Sequence, residues 1–155
     1  MHTLSHIGAS ALALAALLAP MPALACSLAL QTPGSLRNSA NNLTLGSQVN
    51  GSTPATVTTV LQLFQGVTID IGAPTRVQSP GGYNASGESL QVAYTAAVIG
   101  LIQLANQAYT SSPTSFSTGV LGIATVTISM HNRITNPNGF APGAYTTRTV
   151  VTCHP

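Results

Sequence analysis

Residues Gly143–Cys153 read GAYTTRTVVTC, and Asn138–Pro142 before them read NGFAP. Gly and Pro on either side of Phe140 and Ala141 make a turn, and the Thr/Val-rich run that follows suits an extended strand. With a period of two, Tyr145, Thr147, Thr149, Val151 and Cys153 share one face. Both faces mix apolar and polar residues, so the pattern alone does not say which is buried. The strand ends in one of only two cysteines, and the other, Cys26, precedes the first β-like run. A Cys26–Cys153 disulfide would join the first and last segments of a closed, compact unit. For a loop this long the chain-entropy estimate is at most about 4–5 kcal/mol.

Further into the chain the alternation recurs. From Ala124, Val126, Ile128, Met130 and Ile134 oppose Thr125, Thr127, Ser129, His131 and Arg133. The β-like run Gly119–Ile134 is long for one strand, so Gly122 is expected to mark a bend or bulge. Val67, Ile69 and Ile71 alternate with Thr68 and Asp70. The Thr/Val run Ala55–Phe64 precedes them across Gln65–Gly66, and the two runs together are expected to form a β-hairpin. Leu28 and Leu30 mark a short first strand over Ser27–Gln31, and Leu43 and Leu45 a second over Asn42–Ser47, with Ser35–Asn41 as loop. Thr75–Gln78, with a proline on each side, is expected at a sheet edge. Leu90, Val92 and Tyr94 define a strand over Glu88–Tyr94. Thr95–Ala108 fits a buried strand or a short buried helix by periodicity. Gly100 disfavours the helix, so the segment is read as a strand that can end in a helical turn. Tyr109–Phe116 reads as a polar loop around Pro113. The sum is an all-β, mostly antiparallel sandwich of about 7–9 strands in one domain.

Charged residues make up 4 % of the chain: Arg37, Arg76, Arg133, Arg148, Asp70 and Glu88, with no lysine. Four scattered arginines are no phosphate-binding stripe, so nucleic acid is not an expected partner. Ile7–Leu18 is an apolar run broken by Pro20 and Pro22 and followed by Ala23-Leu24-Ala25, the small–any–small pattern of a signal-peptidase site. Residues 1–25 are therefore expected to be a signal peptide and 26–155 the exported domain, in the periplasm, at the cell surface or outside the cell. The run is too short for a transmembrane span. Cys26 directly after the site leaves lipidation as an alternative. A large residue at −2 and a small one at −3 reverse the lipobox order, and lipidation would leave Cys153 unpaired, so the disulfide is preferred.

Catalytic machinery is sparse. Asp70, His131 and Ser129 can be drawn as a triad, but no nucleophile elbow accompanies them and Ser129 and His131 share a strand face. Asp70 and Glu88 are the only carboxylate pair, on separate predicted strands. Arg148 and Asp70 are expected as a cross-strand pair. Tyr83, Tyr94, Tyr109 and Tyr145 offer a thin sugar-stacking surface without tryptophan, and Tyr94 and Tyr145 read better as core or corner residues. Asn42, Asn50 and Asn84 begin N-x-S/T sequons. No catalytic residue, cofactor or metal site is assigned, and the chain is not expected to be an enzyme.

The closing run APGAYTTRTVVTC, Ala141–Cys153, resembles the C-terminal strand of spore coat protein U-like proteins and related pilin-like subunits of bacterial surfaces. The resemblance covers this strand alone. It implies an immunoglobulin-like sandwich and a role as a coat or fibre subunit, with copies of itself or other surface subunits as partners. Two features depart from the family: Arg148 and the Val150–Val151 pair interrupt the alternation, and the cysteines lie at the two ends of the domain. The end-to-end staple implies a self-contained fold, not one completed by a neighbour. The expected function is thus an exported, non-enzymatic structural or cell-surface protein. The alternative is a periplasmic or secreted module binding a glycan or small ligand.

Overall fold

The computed structural model describes residues 26–62, 66–100, 102–119 and 121–155. The signal peptide expected over residues 1–25 lies outside them. The described residues form twelve strands and no helix. In chain order these are β1 (Leu28–Thr32), β2 (Arg37–Asn38), β3 (Thr44–Gly46), β4 (Ala55–Leu61), β5 (Thr68–Ile71) and β6 (Thr75–Gln78). There follow β7 (Ser89–Val98), β8 (Gln103–Thr110), β9 (Thr114–Ser117), β10 (Ala124–Thr135), β11 (Thr146–Arg148) and β12 (Val151–His154). The count exceeds the expected 7–9 because turns and breaks divide several runs that alternate continuously in sequence.

All pairings are antiparallel, and the strands form two layers. The first is built on β10, the strand with the longest alternation. β7 covers one edge of β10 from Val126 to Thr135. The other edge is shared by β4, opposite Ala124–Met130, and β3, opposite Arg133–Thr135. β8 extends the sheet beyond β7, β1 beyond β4, and β2 beyond β3. The second layer is β9-β5-β12. The pair β6-β11 prolongs it, since the Gly72 amide donates to the Val150 carbonyl at 2.8 Å between the two ladders. Most inward residues meet in a main core, with Val57, Val126 and Ile128 from the first layer packed with Ile69 and Ile71 from the second. This is the expected all-β antiparallel sandwich.

Several local expectations are corrected. β4 and β5 are not a hairpin: β4 lies in the first layer and β5 in the second. Both edges of β4 are occupied, by β1 and β10, so β5 pairs instead with β9 and β12 in the other layer. Gln65, placed in the turn of that hairpin, lies outside the described residues. Thr95–Ala108 is neither one strand nor a strand with a helical turn. It is the end of β7, a turn with Gly100 at φ +75°, and β8. Glycine is the residue that takes this left-handed conformation without a Cβ penalty. The loop around Pro113 shrinks to Ser111–Pro113, between β8 and β9. By contrast, the bend expected at Gly122 is present, and β10 begins two residues after it.

The closing strand is broken at Thr149–Val150, yet its alternation continues through the break. Tyr145, Thr147, Thr149, Val151 and Cys153 are half-buried and the residues between them exposed, which identifies the inner face. Gly143, at φ +141°, brings the turn ahead of it so close to Pro80 that a Cβ would lie 2.6 Å from the proline's own. That contact presses the turn before β11 onto the loop after β6, the strand it pairs with.

Candidate functional site: an open seam between the first and last strands

β1 and the closing strand are edge strands of opposite layers. Each is hydrogen-bonded on one side, β1 to β4 and β11–β12 to β6 and β5. Cys26 and Cys153 are bonded, with their Cα atoms 5.8 Å apart, and hold the two strands together at one end. Past this staple β1 and β11 do not pair, and between them runs a groove of about 630 Å³. Its floor is the inner face of the first layer, with Ala55, Val57 and Met130. Leu28 and Leu30 form one wall, and Tyr145, Thr147, Thr149 and Val151 the other.

The geometry of Leu30 defines the site. Leu30 stands opposite Val57 in the ladder, so both side chains point to the same, inner face. Val57 is 6 % exposed and Leu30 is 64 % exposed. The second layer covers one and ends before it reaches the other. Leu30 is thus an inward-facing leucine left exposed at the wall of the groove. Arg148 is the only charged residue lining the groove among the described residues. Asn132 on the floor donates to the Thr147 hydroxyl at 3.0 Å and accepts from that of Thr149 at 2.9 Å. These bonds hold the closing strand against β10 and keep the groove open in a defined shape.

The residues singled out from sequence are distributed elsewhere. Asp70 faces outward from the second layer and His131 outward from the first, since their strand neighbours Ile69, Ile71 and Met130 are buried. The drawn triad with Ser129 is therefore not assembled. His131 instead meets Ser47, Oγ to Nδ1 at 3.3 Å, and Ser47 is only 4 % exposed. This pair is 84 residues apart in sequence and no local motif announces it. The expected Arg148–Asp70 pair does not form, because Arg148 stands opposite Thr75. Asp70 accepts from His154 Nε2 at 3.0 Å in an exposed contact, worth about 0–1 kcal/mol. Glu88 is held by Arg76, 3.2 Å from Nε to Oε1, and accepts from the Tyr83 hydroxyl. The Arg76 contact is an ion pair without hydrogen-bond geometry, for that Nε has no hydrogen-bond partner. The carboxylates thus have separate partners and do not flank a common cleft.

The tyrosines divide likewise. Tyr94 is buried and bonds the Thr114 hydroxyl at 3.1 Å. The Tyr145 hydroxyl donates to the Ala141 carbonyl, four residues upstream, at 3.0 Å. Tyr145 also meets Tyr83 and Phe140 edge-on, with ring centroids 5.1 and 5.4 Å away, in a small second core with Leu45 and Ile134. Burial, reinforced by the bond to Glu88, pushes the Tyr83 hydroxyl up to about 12. Tyr109 stacks under the Arg133 guanidinium at 3.8 Å, and its hydroxyl is raised by burial against that cation's opposing pull. The asparagines of the three sequons are all exposed. Among the described residues no group of three His, Cys, Asp or Glu side chains is suited to a metal ion. Comparison with protein-family models, with curated proteins and with solved structures returned no match.

Proposed function

We propose that this chain is an exported, non-enzymatic structural protein of the cell surface, a coat or fibre subunit with an immunoglobulin-like sandwich of the spore coat protein U-like or pilin-like kind. In this reading the groove seats an extended strand from a neighbouring copy. The exposure of inward-facing Leu30 carries the reading. A strand laid between β1 and β11 would cover it, pair with two free main-chain edges and place alternate side chains over Val57 and Met130, which is recognition by β-strand addition. The Tyr145 hydroxyl bond back to Ala141 resembles the corner tyrosine of immunoglobulin-like domains and adds support. The disulfide does not stand in the way of such assembly, because it closes one end of the seam and leaves its length open.

The test is self-association of protein exported from the full chain, read by sedimentation and electron microscopy. Concentration-dependent oligomers are expected, and Leu30→Arg, which puts a cation on the groove wall, should abolish them at unchanged melting temperature. A species that stays monomeric at high concentration, together with absence from the labelled cell surface, would overturn the reading. A second reading, a module for a glycan or small ligand, draws on the groove's size, which lies within the roughly 300–1,000 Å³ usual for ligand sites. Binding on a glycan array that is lost in Tyr145→Ala would favour it, and an array without a hit would count against it.

A further inference from the structure

We propose that Asn50 is a spontaneous modification site, at which the folded protein converts a carboxamide to a carboxylate. The asparagine lies in the loop between β3 and β4 and is followed by Gly51. Val49–Ser52 form a turn closed by the Ser52 amide on the Val49 carbonyl at 3.0 Å. Gly51 takes φ +83° at the third position of this turn, while Asn50 keeps a negative φ. That is the type II pattern, which favours glycine there. The peptide joining Asn50 to Gly51 is the central one and takes no part in the closing bond. Asn50 is exposed, and neither its carboxamide nor the Gly51 amide has a hydrogen-bond partner among the described residues.

The Gly51 nitrogen is therefore free to lose its proton to hydroxide and attack Asn50 Cγ, with no side chain on residue 51 to hinder it. A new N–Cγ bond closes a five-membered imide as the Cγ–Nδ2 bond breaks and ammonia leaves. Water then opens the imide at either carbonyl, leaving an aspartyl or an isoaspartyl residue at position 50. Arg37 donates from Nε to the Gly51 carbonyl at 2.8 Å. Its cation lies close to the negative charge that develops during attack and to the carboxylate that remains, and favours both. The loop is tied to the groove at both ends, since Ser47 lines the groove and Thr53 accepts the amide of Ser35, which lines it too. An isoaspartyl link would lengthen the main chain of this loop by one carbon.

The chain contains a second Asn-Gly pair, Asn138–Gly139, and the fold protects it. Asn138 Nδ2 donates to the Ser86 carbonyl at 2.7 Å, and the Gly139 amide to the Asn136 carbonyl at 3.1 Å. Gly139 is buried, and a Cβ built on it would lie 2.8 Å from Asn42 Nδ2. Both reacting groups are thus engaged, and the side chain cannot swing onto the following nitrogen without opening the turn. The same dipeptide is reactive in one loop and held in the other.

Incubation of the protein made from its full chain, disulfide intact, in mildly alkaline buffer below its melting temperature tests this. Cleavage at Arg37 and Arg76 releases position 50, and cleavage at Arg133 and Arg148 releases position 138, so fragment masses follow each site. In the fold, position 50 should convert at least about tenfold faster than position 138, because the latter must first open locally. In reduced, denatured chain the two rates should converge, which removes the effect of neighbouring sequence. One carboxylate added to the present two acids lowers the formal net charge of +2 by one, so isoelectric focusing should show a growing acidic species. Asn50→Gln should abolish that species with the melting temperature unchanged, because the side chain is exposed. Equal rates at the two sites in the folded protein would overturn the proposal, as would an acidic species that persists in Asn50→Gln. So would conversion at position 50 that occurs only after denaturation.

Discussion

Tyr83 shows how one side chain makes stability depend on pH in a protein with so few charges. Its ring stacks on Phe140 and lies under Arg76, and its hydroxyl donates to Glu88. Ionising it would place a phenolate in a partly buried site beside a carboxylate, so its value rises from 10.0 in the unfolded chain to about 12 in the fold. Folded protein then holds the phenolic proton at pH values where unfolded protein has released it. The stabilisation is complete below pH 10 and is lost as pH climbs towards 12. Melting temperatures measured in steps across that window should fall for the parent. They should fall less steeply for Tyr83→Phe, with Tyr109 left to supply part of the slope. Equal slopes would show that the site does not couple to folding. None of this was legible in the sequence, which shows Tyr83 only as a tyrosine after two glycines. Tyr145 was more readable, because a tyrosine three residues after a proline at the start of a closing strand suggests a corner.

Among the elements, β10 organises the first layer, and its inward residues should dominate the energetics. Ile128 is fully buried between Val57 and Ala96 on the flanking strands. Ile128→Ala should cost about 2–5 kcal/mol, the range for a deep aliphatic truncation. Val60→Ala on neighbouring β4, whose side chain faces outward, should stay within about 0.5 kcal/mol. Denaturant midpoints of the two variants check the contrast, and similar losses would mean the layers are not packed as described. The faces of β5 and β10 were readable because period-two alternation reports which side is buried. Alternation says nothing about which strand lies alongside, so the sequences of β4 and β5 read as a hairpin although β4 has no free edge to offer. In β7–β8 the turn signal was present at Gly100, but the apolar residues around it resemble one continuous buried run. The groove was half legible. Leu28 and Leu30 stand on one face in the sequence, whereas the absence of a strand above Leu30 depends on where the second layer ends.

For the whole molecule, the Cys26–Cys153 bond links strands of opposite layers across 127 positions of sequence. Cross-linking so long a loop removes unfolded-state entropy worth up to about 4–5 kcal/mol, against a total of about 5–15 kcal/mol for a typical domain. The bond also acts locally. β1 is a five-residue edge strand with one neighbour in its sheet, four of its residues are exposed, and the staple holds its start against β12. β10, by contrast, is paired along both edges. Replacing both cysteines by serine should therefore lower the denaturant midpoint and, below the transition, loosen the molecule unevenly. Hydrogen exchange should show Leu28 and Leu30 losing protection first, with Val126 and Ile128 keeping theirs until global unfolding. If β1 and β10 amides instead exchange together in the double variant, the staple stabilises only through the unfolded chain. The wall of the groove would then owe its position to the β4 ladder alone.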